Sequence, residues 1–537
     1  MKEKFARWDT LFLQYVKRDW GKIGIWIVGI GLFSAAFVPA FQEIAKGNGL
    51  QGMFVTLQNP AMTSMVGSTP IESAADYTLG AMYAHEMLLF CGLFAMVVAA
   101  LHVISHTRKE EELGLTELVR SFQVGRQANA LATAIEVLVI NVILMVFIAG
   151  VLISFGADSI TVEGSFLFAA SIGAAGLIGA GIALVIAQIM PTSSAATGIT
   201  LGVIGVLYIL RASTDASNAD LSLLNPMGWT YLTYPFTENN WSPLIYAFVF
   251  SLFLVILAFV LENARDMGAG YLPQREGREK ANKTLLSIPG LFFKLNKATI
   301  VSWLIAFLFL GAAYGSIYGD MQTFIESNEM VQQMFTQSGS TMEESFTGTI
   351  MMVLIGLVSI LPVVVINKLF AEENRSHLSQ IVATKVTRAQ LYWSSVGIAI
   401  FTGLLSILFA AGSLGGVAMT AMDNPEELTM NVFLAAGYNF LPAVLFFIGL
   451  AALALGWAPK LRKVVYVYLI YSFMINYFEG LLDLPDWFLN TAVQSWIPQM
   501  PMENFDAFTF AIIIETSIAF MIIGYFGYSS RDMFEGN

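Results

Sequence analysis

Four side chains within long apolar runs could carry chemistry inside a membrane: Glu86, Glu136, Asn439 and Glu515. A charged or strongly polar group is costly within a bilayer, and such groups serve ion pathways and proton relays. Glu136 and Glu515 lie well inside their runs, so we expect both in the interior of a helical bundle. The alternative for each side chain is a hydrogen-bonded position at a helix interface.

Other site chemistry is sparse. The phosphate-binding pattern G-x-x-x-x-G-K-[ST] is absent, so the chain is predicted not to bind a nucleotide. The four histidines show neither H-E-x-x-H nor another metal-ligand spacing, and we predict no metal site and no catalytic residue. His85 and Glu86 could form part of a proton relay or a metal site, or a pair satisfied by its neighbours.

A charged segment between two apolar runs occurs twice. We name these segments island 1, residues 108–126, and island 2, residues 370–388. Aligned on their last arginines, they match Glu111 with Glu373 and Arg126 with Arg388. Each is predicted to be a short amphipathic helix between membrane spans, because apolar residues recur at helical spacing. These residues are Leu115, Leu118, Val119 and Phe122 in island 1 and Leu378, Ile381 and Val382 in island 2.

The elements that must position these residues are membrane helices. Of 537 residues, 56% are hydrophobic and 12% charged, against about 25% charged in a soluble domain. Runs of about 20 apolar residues, enough to cross a bilayer, form two sets of six. We predict an all-α polytopic membrane protein with about twelve transmembrane helices in two six-helix repeats, the fifth of each set short enough to be tilted or broken. The runs lie near 23–42, 82–106, 128–155, 165–189, 197–211 and 243–262, and near 299–319, 348–369, 390–418, 432–457, 463–479 and 508–528.

Repeated marks divide the chain into halves. Arg-Asp-Met follows the sixth run at 265–267 and the twelfth at 531–533. We therefore predict a first transmembrane half at 1–267, a cytoplasmic linker with an interfacial helix at 268–297, and a second half at 298–537. A cytoplasmic N-terminus puts 25 of the 27 lysines and arginines inside, as the positive-inside rule requires. Both termini, the linker and both islands are then cytoplasmic.

The order of these marks resembles the duplicated permease of ABC-2-type exporters, most closely the tetronasin-type polyketide-antibiotic and multidrug branch. The marks are an early Trp in the first span, E-E-x-x-G-x-x-E-L and V-x-R in island 1, Pro-Met-Gly-Trp at 226–229, and R-D-M-G-A-G-Y-L-P from 265. The resemblance implies a subunit of a bacterial plasma membrane that exports amphipathic or hydrophobic compounds, such as antibiotics, drugs or lipids. It also implies two copies of a separate nucleotide-binding subunit, which hold the ATP and magnesium, and no nucleic-acid partner.

The same resemblance implies that the islands are coupling helices that contact the ATPase. The implied contact residues are Glu111, Glu112, Gly114, Glu117 and Arg126 in island 1 and Glu372, Glu373 and Arg388 in island 2. We expect Glu111 and Glu117 to face the cytosol and touch no core. Island 2 carries Ser376 and Ser379 in place of Gly114 and Glu117, so island 1 is expected to be the stronger contact.

Two other classes of protein compete with this interpretation. A twelve-helix ion-coupled secondary transporter also has two sets of six helices and a central linker. It predicts a glycine, aspartate and basic-residue loop between spans two and three, where this chain has a Glu-rich island. A polytopic membrane enzyme would need clustered catalytic residues on one side, which the sequence does not suggest. Co-purification of an ATPase subunit would separate the exporter from both.

Overall fold

The computed structural model describes residues 2–47, 49–57, 60–217, 219–273, 280–319, 342–422, 428–478 and 485–532. Within these ranges all regular structure is helical, as predicted. The chain divides into two compact units, Met1–Glu276 and Gly277–Asn537, which we name unit 1 and unit 2. The division falls within the predicted linker, of which residues 274–279 lie outside the described ranges.

Unit 1 is built from long apolar helices joined by short ones. Its helices are α1 Trp8–Ala35, α2 Val38–Ile44, α3 Gly49–Leu57, α4 Pro60–Val66, α5 Leu79–His106, α6 Arg108–Glu112, α7 Leu115–Arg120, α8 Ala128–Ser154, α9 Val162–Ile189, α10 Ser193–Ser217 and α11 Ser242–Ala264. Island 1 comprises α6, α7 and the turn that leads into α8.

Unit 2 follows the same order. Its helices are α12 Ile288–Ser316, α13 Met342–Val358, α14 Ile360–Asn374, α15 His377–Val382, α16 Arg388–Ala421, α17 Met430–Asn439, α18 Leu441–Trp457, α19 Val464–Phe478, α20 Asp486–Leu489 and α21 Ala507–Ser530. Island 2 comprises the end of α14, α15 and the turn before α16. In both units, therefore, the island follows the second predicted span.

Eleven helical segments in the described ranges are long and apolar enough to cross a membrane, and they lie at eleven of the twelve predicted positions. The remaining position, 463–479, holds α19, an apolar helix of 15 residues. Its counterpart α10 is a single helix of 25 residues, so the shortening expected of the fifth span is not found in unit 1.

Prolines interrupt two spans of unit 2 that are continuous in unit 1. The break between α13 and α14 precedes Pro362, and the break between α17 and α18 precedes Pro442. A proline lacks the amide proton of the helical hydrogen bond, and its ring clashes with the carbonyl four residues earlier. The corresponding helices α5 and α9 each run for 28 residues. The two units thus share a plan but not the same helix continuity.

Residues 8–22 and 288–298, which precede the first predicted apolar run of each half, are parts of the spanning helices. Helix α1 begins at Trp8 and runs without a break to Ala35, and α12 runs from Ile288 to Ser316. In each case the basic N-terminal part and the apolar membrane segment therefore form one continuous helix.

Each unit has its own hydrophobic core, and small residues bring its central helices together. In unit 1 the mostly buried α9 packs against α5, α8 and α11. A Cβ on Gly179 of α9 would lie 2.2 Å from the carbonyl oxygen of Met96 on α5. In unit 2 a Cβ on Gly524 of α21 would lie 2.5 Å from the carbonyl oxygen of Ala452 on α18. Such close backbone approach is typical of membrane helix interfaces.

Candidate functional site

A bidentate ion pair joins island 1 to the end of α11. The carboxylate oxygens of Glu111 accept from Nη1 and Nη2 of Arg265, each at 2.7 Å. The amide of Gly268 donates to the same carboxylate at 2.7 Å, and Nη1 of Arg108 donates at 3.0 Å. Gln188, at the end of α9, accepts from Nε of Arg265 at 2.8 Å. We name the Glu111–Arg265 pair clasp 1.

Unit 2 repeats this arrangement. Glu373 accepts from Nη1 and Nη2 of Arg531 at 2.6 and 2.7 Å. The side chain of Glu373 is only 1% exposed. We name this pair clasp 2. Parallel N–H···O bonds between a guanidinium and a carboxylate fix both distance and orientation, so each island has one defined position on the end of its unit's last span.

A second arginine in each island returns to the same helix end. Arg126 donates from Nη2 to the carbonyls of Glu262 (3.0 Å) and Arg265. Arg388 donates from Nη1 to the carbonyls of Ser529 (3.1 Å) and Arg531. The last carbonyls of a helix lack partners within the helix and carry partial negative charge. The matched arginines therefore cap α11 and α21.

Among the described residues, the remaining acidic side chains of the islands also have partners, with the exception of Glu117. Glu112 accepts from the amide and hydroxyl of Ser193, at 2.8 and 2.6 Å, at the N-terminus of α10. Glu372 pairs with Lys368 at 3.1 Å and with His377 at 2.7 Å. A carboxylate at a helix N-terminus is stabilised by the helix dipole. Glu112 therefore attaches island 1 to α10, whereas the contacts of Glu372 join α14 to the start of α15.

The expectation that Glu111 faces the cytosol and touches no core is wrong, because its side chain is 8% exposed within clasp 1. Glu117 is exposed, as expected. The outward surface of island 1 combines exposed polar residues with large apolar ones; the polar residues include Lys109, Glu112, Ser121, Gln123 and Arg126. Four large apolar side chains on it are solvent-exposed, with Leu118 at 64% and Phe122 at 70%. The other two are Leu113 and Leu115.

Island 2 presents a different surface. Leu378 is 2% exposed, and Ile381 and Val382 are half-buried against the unit 2 core. At the positions aligned with Leu118 and Phe122 it carries Gln380 and Thr384, both exposed. The apolar stripe of island 2 therefore faces inward, and its outward face is polar.

The two islands share the same backbone conformation at Gly114 and at Ser376, the residue aligned with it. Gly114 precedes α7 with φ +73°, and Ser376 precedes α15 with φ +59°. Both lie in the left-handed region, which an L side chain enters at a cost of about 1–2 kcal/mol. The two islands thus make the same turn, and island 2 makes it under strain.

Of the four intramembrane candidates, Glu136 lies in a polar cluster of unit 1. The residue is fully buried, and its Oε2 lies 3.2 Å from Nε2 of His102 on α5. His106, one helical turn further along α5, lies 3.0 Å from Asp19 of α1. The two histidines do not fit H-E-x-x-H, but residues four apart share one face of a helix. That spacing is the signal that could have found them.

His85 and Glu86 do not act as a pair. His85 lies between the hydroxyl of Tyr77 (3.0 Å) and the carbonyl of Gly67 (2.9 Å). Its ring is therefore satisfied by neighbours, which was the alternative reading of this dipeptide. Oε1 of Glu86 is buried and has no hydrogen-bond partner among the described residues.

Asn439 and Glu515 lie in contrasting surroundings. Asn439 is buried, and its Nδ2 donates to the carbonyl of Pro498 at 2.6 Å. The prediction that Glu515 lies in the bundle interior is wrong, because the residue is exposed. Helix α21 packs through a stripe that includes Ile513 and Ser517. Glu515 falls between them in sequence and so points to the opposite side of a 3.6-residue helix.

The clasps were not foreseen as contacts, although both of their halves were visible as repeats. Glu111 and Arg265 are 154 residues apart, and Glu373 and Arg531 are 158 apart. The signal is that each half carries both marks at nearly the same separation. Each clasp joins a surface helix to the end of a membrane span by charged hydrogen bonds.

Comparison with known proteins gives two findings. Residues 15–261 and 285–529 match the family described as "Multidrug efflux system permease Rv1217c, C-terminal domain", with one segment in each unit. The chain is also 25% identical over 526 residues to the multidrug efflux system permease protein Rv1217c of Mycobacterium tuberculosis, covering 97% of this chain and 94% of the relative. The similarity therefore extends over both halves.

We predict that the clasps stabilise their units. Removing one partner of a buried ion pair leaves the other charge uncompensated, at a cost of about 3–5 kcal/mol. Glu111→Gln and Glu373→Gln should each lower the melting temperature of the detergent-purified protein. Glu117→Gln is the control, because its exposed side chain should change the free energy of unfolding by less than about 0.5 kcal/mol. Equal melting temperatures for all three variants would refute the structural role of the clasps.

We also predict opposite effects at the two island turns. Ser376→Gly should stabilise the protein and Gly114→Ser should destabilise it, each by about 1 kcal/mol, because only glycine adopts a positive φ without strain. A Cβ on Gly114 would meet no atom within 4 Å, so the change tests backbone conformation alone. Thermal unfolding of the two variants provides the measurement. If both variants shifted the melting temperature in the same direction, the prediction that both turns need a positive φ would be contradicted.

Proposed function

Because the chain belongs to the family of the multidrug efflux system permease Rv1217c, we propose that it is the membrane subunit of an exporter driven by a separate ATPase. The proposal agrees with the resemblance to ABC-2-type permeases. Family membership gives no support to the ion-coupled alternative. ATP and magnesium would be bound by the partner, since this chain carries no phosphate-binding loop.

The observation that carries the proposal is the exposed apolar face of island 1. Four large apolar side chains are exposed on one short segment, and exposed apolar clusters mark interaction sites. Glu117 borders this face and could set the register of a partner by charge. We propose that this face, rather than the clasped Glu111, seats in a groove of the ATPase subunit.

The clasps explain how movement of the island could reach the membrane. An ATPase dimer that closes on ATP would push on island 1, and clasp 1 together with Arg126 ties this island to the end of α11. Island 1 also contacts the N-terminus of α10 through Glu112. A rigid-body shift of the island would therefore displace α10 and α11 together, as in other switching transitions.

The two islands would contribute unequally. Island 2 is held by clasp 2 but offers Gln380 and Thr384 where island 1 offers Leu118 and Phe122. A few large, well-buried side chains carry most of the affinity of a typical protein interface, and Leu118 and Phe122 are larger apolar candidates than Gln380 and Thr384. We therefore propose one strong and one weak ATPase contact for a partner present in two copies.

The substrate and the orientation follow from the family and from charge. The relative's name refers to multidrug efflux, and we propose amphipathic or hydrophobic compounds as cargo, with the tetronasin-type polyketide-antibiotic branch as the nearest group. Both termini and both islands would face the cytoplasm of a bacterial plasma membrane, because this orientation places 25 of 27 basic residues inside.

The test replaces aligned residues in the two islands. Leu118→Asp with Phe122→Asp should weaken ATPase co-purification by about 30-fold or more, since an interface anchor contributes about 2 kcal/mol or more. Drug-stimulated ATP hydrolysis should fall with it. The matched control is Gln380→Asp with Thr384→Asp in island 2, which should change association less than about threefold. Wild-type association of the island 1 variant would remove the support for this proposal.

A further inference from the structure

The polar cluster of unit 1 gathers metal-ligating side chains from two helices. His102 and His106 lie one turn apart on α5, with ring centroids 4.1 Å apart and planes inclined by 30°. Glu136 approaches from α8. The nearest ligand atoms of the three residues lie within 4.8 Å of one another. The island and clasp 1 do not use this group.

The surroundings of the cluster hold more negative than positive charge. Three carboxylates, of Asp19, Glu110 and Glu136, face two cationic side chains, Arg18 and Lys22, which pair with Asp19 and Glu110. Within the described ranges, the imidazole of His102 is the one basic side chain that contacts Glu136. Its Oε1 is buried without a hydrogen bond in the described part of the chain. An ionised carboxylate in this position needs a positive charge beside it.

Unit 2 builds the same helices without these residues. Counting from the matched Arg126 and Arg388, the positions of His102 and Glu136 are occupied by Val364 and Ile398. The position of His106 is occupied by Lys368, which pairs with Glu372. The plan of the fold therefore does not require the cluster. Its titratable and metal-ligating residues are a property of unit 1 alone.

The geometry points to a divalent transition-metal site, of the kind that takes Zn²⁺, formed by His102, His106 and Glu136. Imidazole nitrogen and carboxylate oxygen are preferred ligands of Zn²⁺. Two histidines four residues apart on a helix present both rings on one face. The ring of His106 lies between Asp19, 3.0 Å from its Nε2, and the carbonyl oxygen of His102, 2.9 Å from its Nδ1. Asp19 resembles the outer carboxylate that orients a metal-bound imidazole. The ion would then bind Nδ1, which would exchange for it the contacts with the His102 carbonyl and with Oγ of Ser105.

A bound ion would link three side chains from α5 and α8, whereas the hydrogen bond between His102 and Glu136 links only two. Metal–ligand bonds of about 2.0–2.2 Å require the three ligand atoms to draw closer together. The ion would fix α5 to α8 just before island 1 begins, and it would supply the positive charge that Glu136 lacks. This inference is independent of the exporter proposal, because it concerns binding by this chain alone.

The test uses the full chain, purified with a tag that contains no histidine and stripped with a chelator. Co²⁺ is the probe, because its visible absorption reports ligand number and type, and Zn²⁺ serves as competitor. We expect one ion per chain by elemental analysis. Glu136→Gln and His102→Ala should each weaken binding at least tenfold. His85→Ala and His377→Ala, which remove histidines elsewhere, should leave it unchanged.

A double variant that carries the side chains of unit 2 distinguishes loss of the metal site from misfolding. His102→Val with Glu136→Ile installs the side chains that unit 2 carries at these positions, so it should elute and melt as a folded protein while losing stoichiometric Co²⁺. Failure of the wild type to retain one ion would overturn the proposal and leave the hydrogen bond to His102 as the contact of Glu136. Binding that persists in all cluster variants would also overturn it, since the ion would then sit elsewhere.

Discussion

The structure depends on one interaction, the two-pronged ion pair between an island glutamate and the arginine after the last span of its unit. Water competes poorly for charges that are mostly buried, and a guanidinium holds a carboxylate in one plane. The pair closes a loop of about 155 residues between Glu111 and Arg265, and again between Glu373 and Arg531. The second and sixth spans of each unit are thereby joined at one end, whatever the spans between them do.

The two units have kept this constraint and diverged elsewhere. Unit 1 exposes four large apolar side chains on its island and buries a cluster around Glu136. Unit 2 instead buries Leu378 and carries Val364 and Ile398 at the positions of His102 and Glu136. Prolines interrupt two spans of unit 2 only. Duplication has thus preserved the mechanical connection, while the exposed surfaces and the membrane interior have specialised.

Much of the fold could be predicted from the sequence, because apolar runs and matched marks depend only on residue type and order. Eleven predicted spans, both islands and the family follow from them. The failures concern which way a side chain faces. Glu515 sits at a depth typical of a pathway residue but on the wrong side of its helix, and Glu111 looks solvated until Arg265 is brought to it by the fold. In a membrane span, both the lipid-facing side and the side that faces the helical bundle are apolar. The periodicity of apolar residues therefore cannot show which side of the helix a polar residue occupies.

The most direct test of the account is a double-mutant cycle across clasp 1, measured as drug-stimulated ATP hydrolysis by the assembled complex. Glu111→Gln, Arg265→Gln and the double variant should each retain the ATPase subunit, since the exposed face of island 1 is unchanged. The account predicts that both single variants lose stimulation and that the double variant is no worse than either, giving an interaction energy of about 1 kcal/mol or more. Additive losses, or wild-type stimulation in both single variants, would contradict the claim that the clasp links the island to α11.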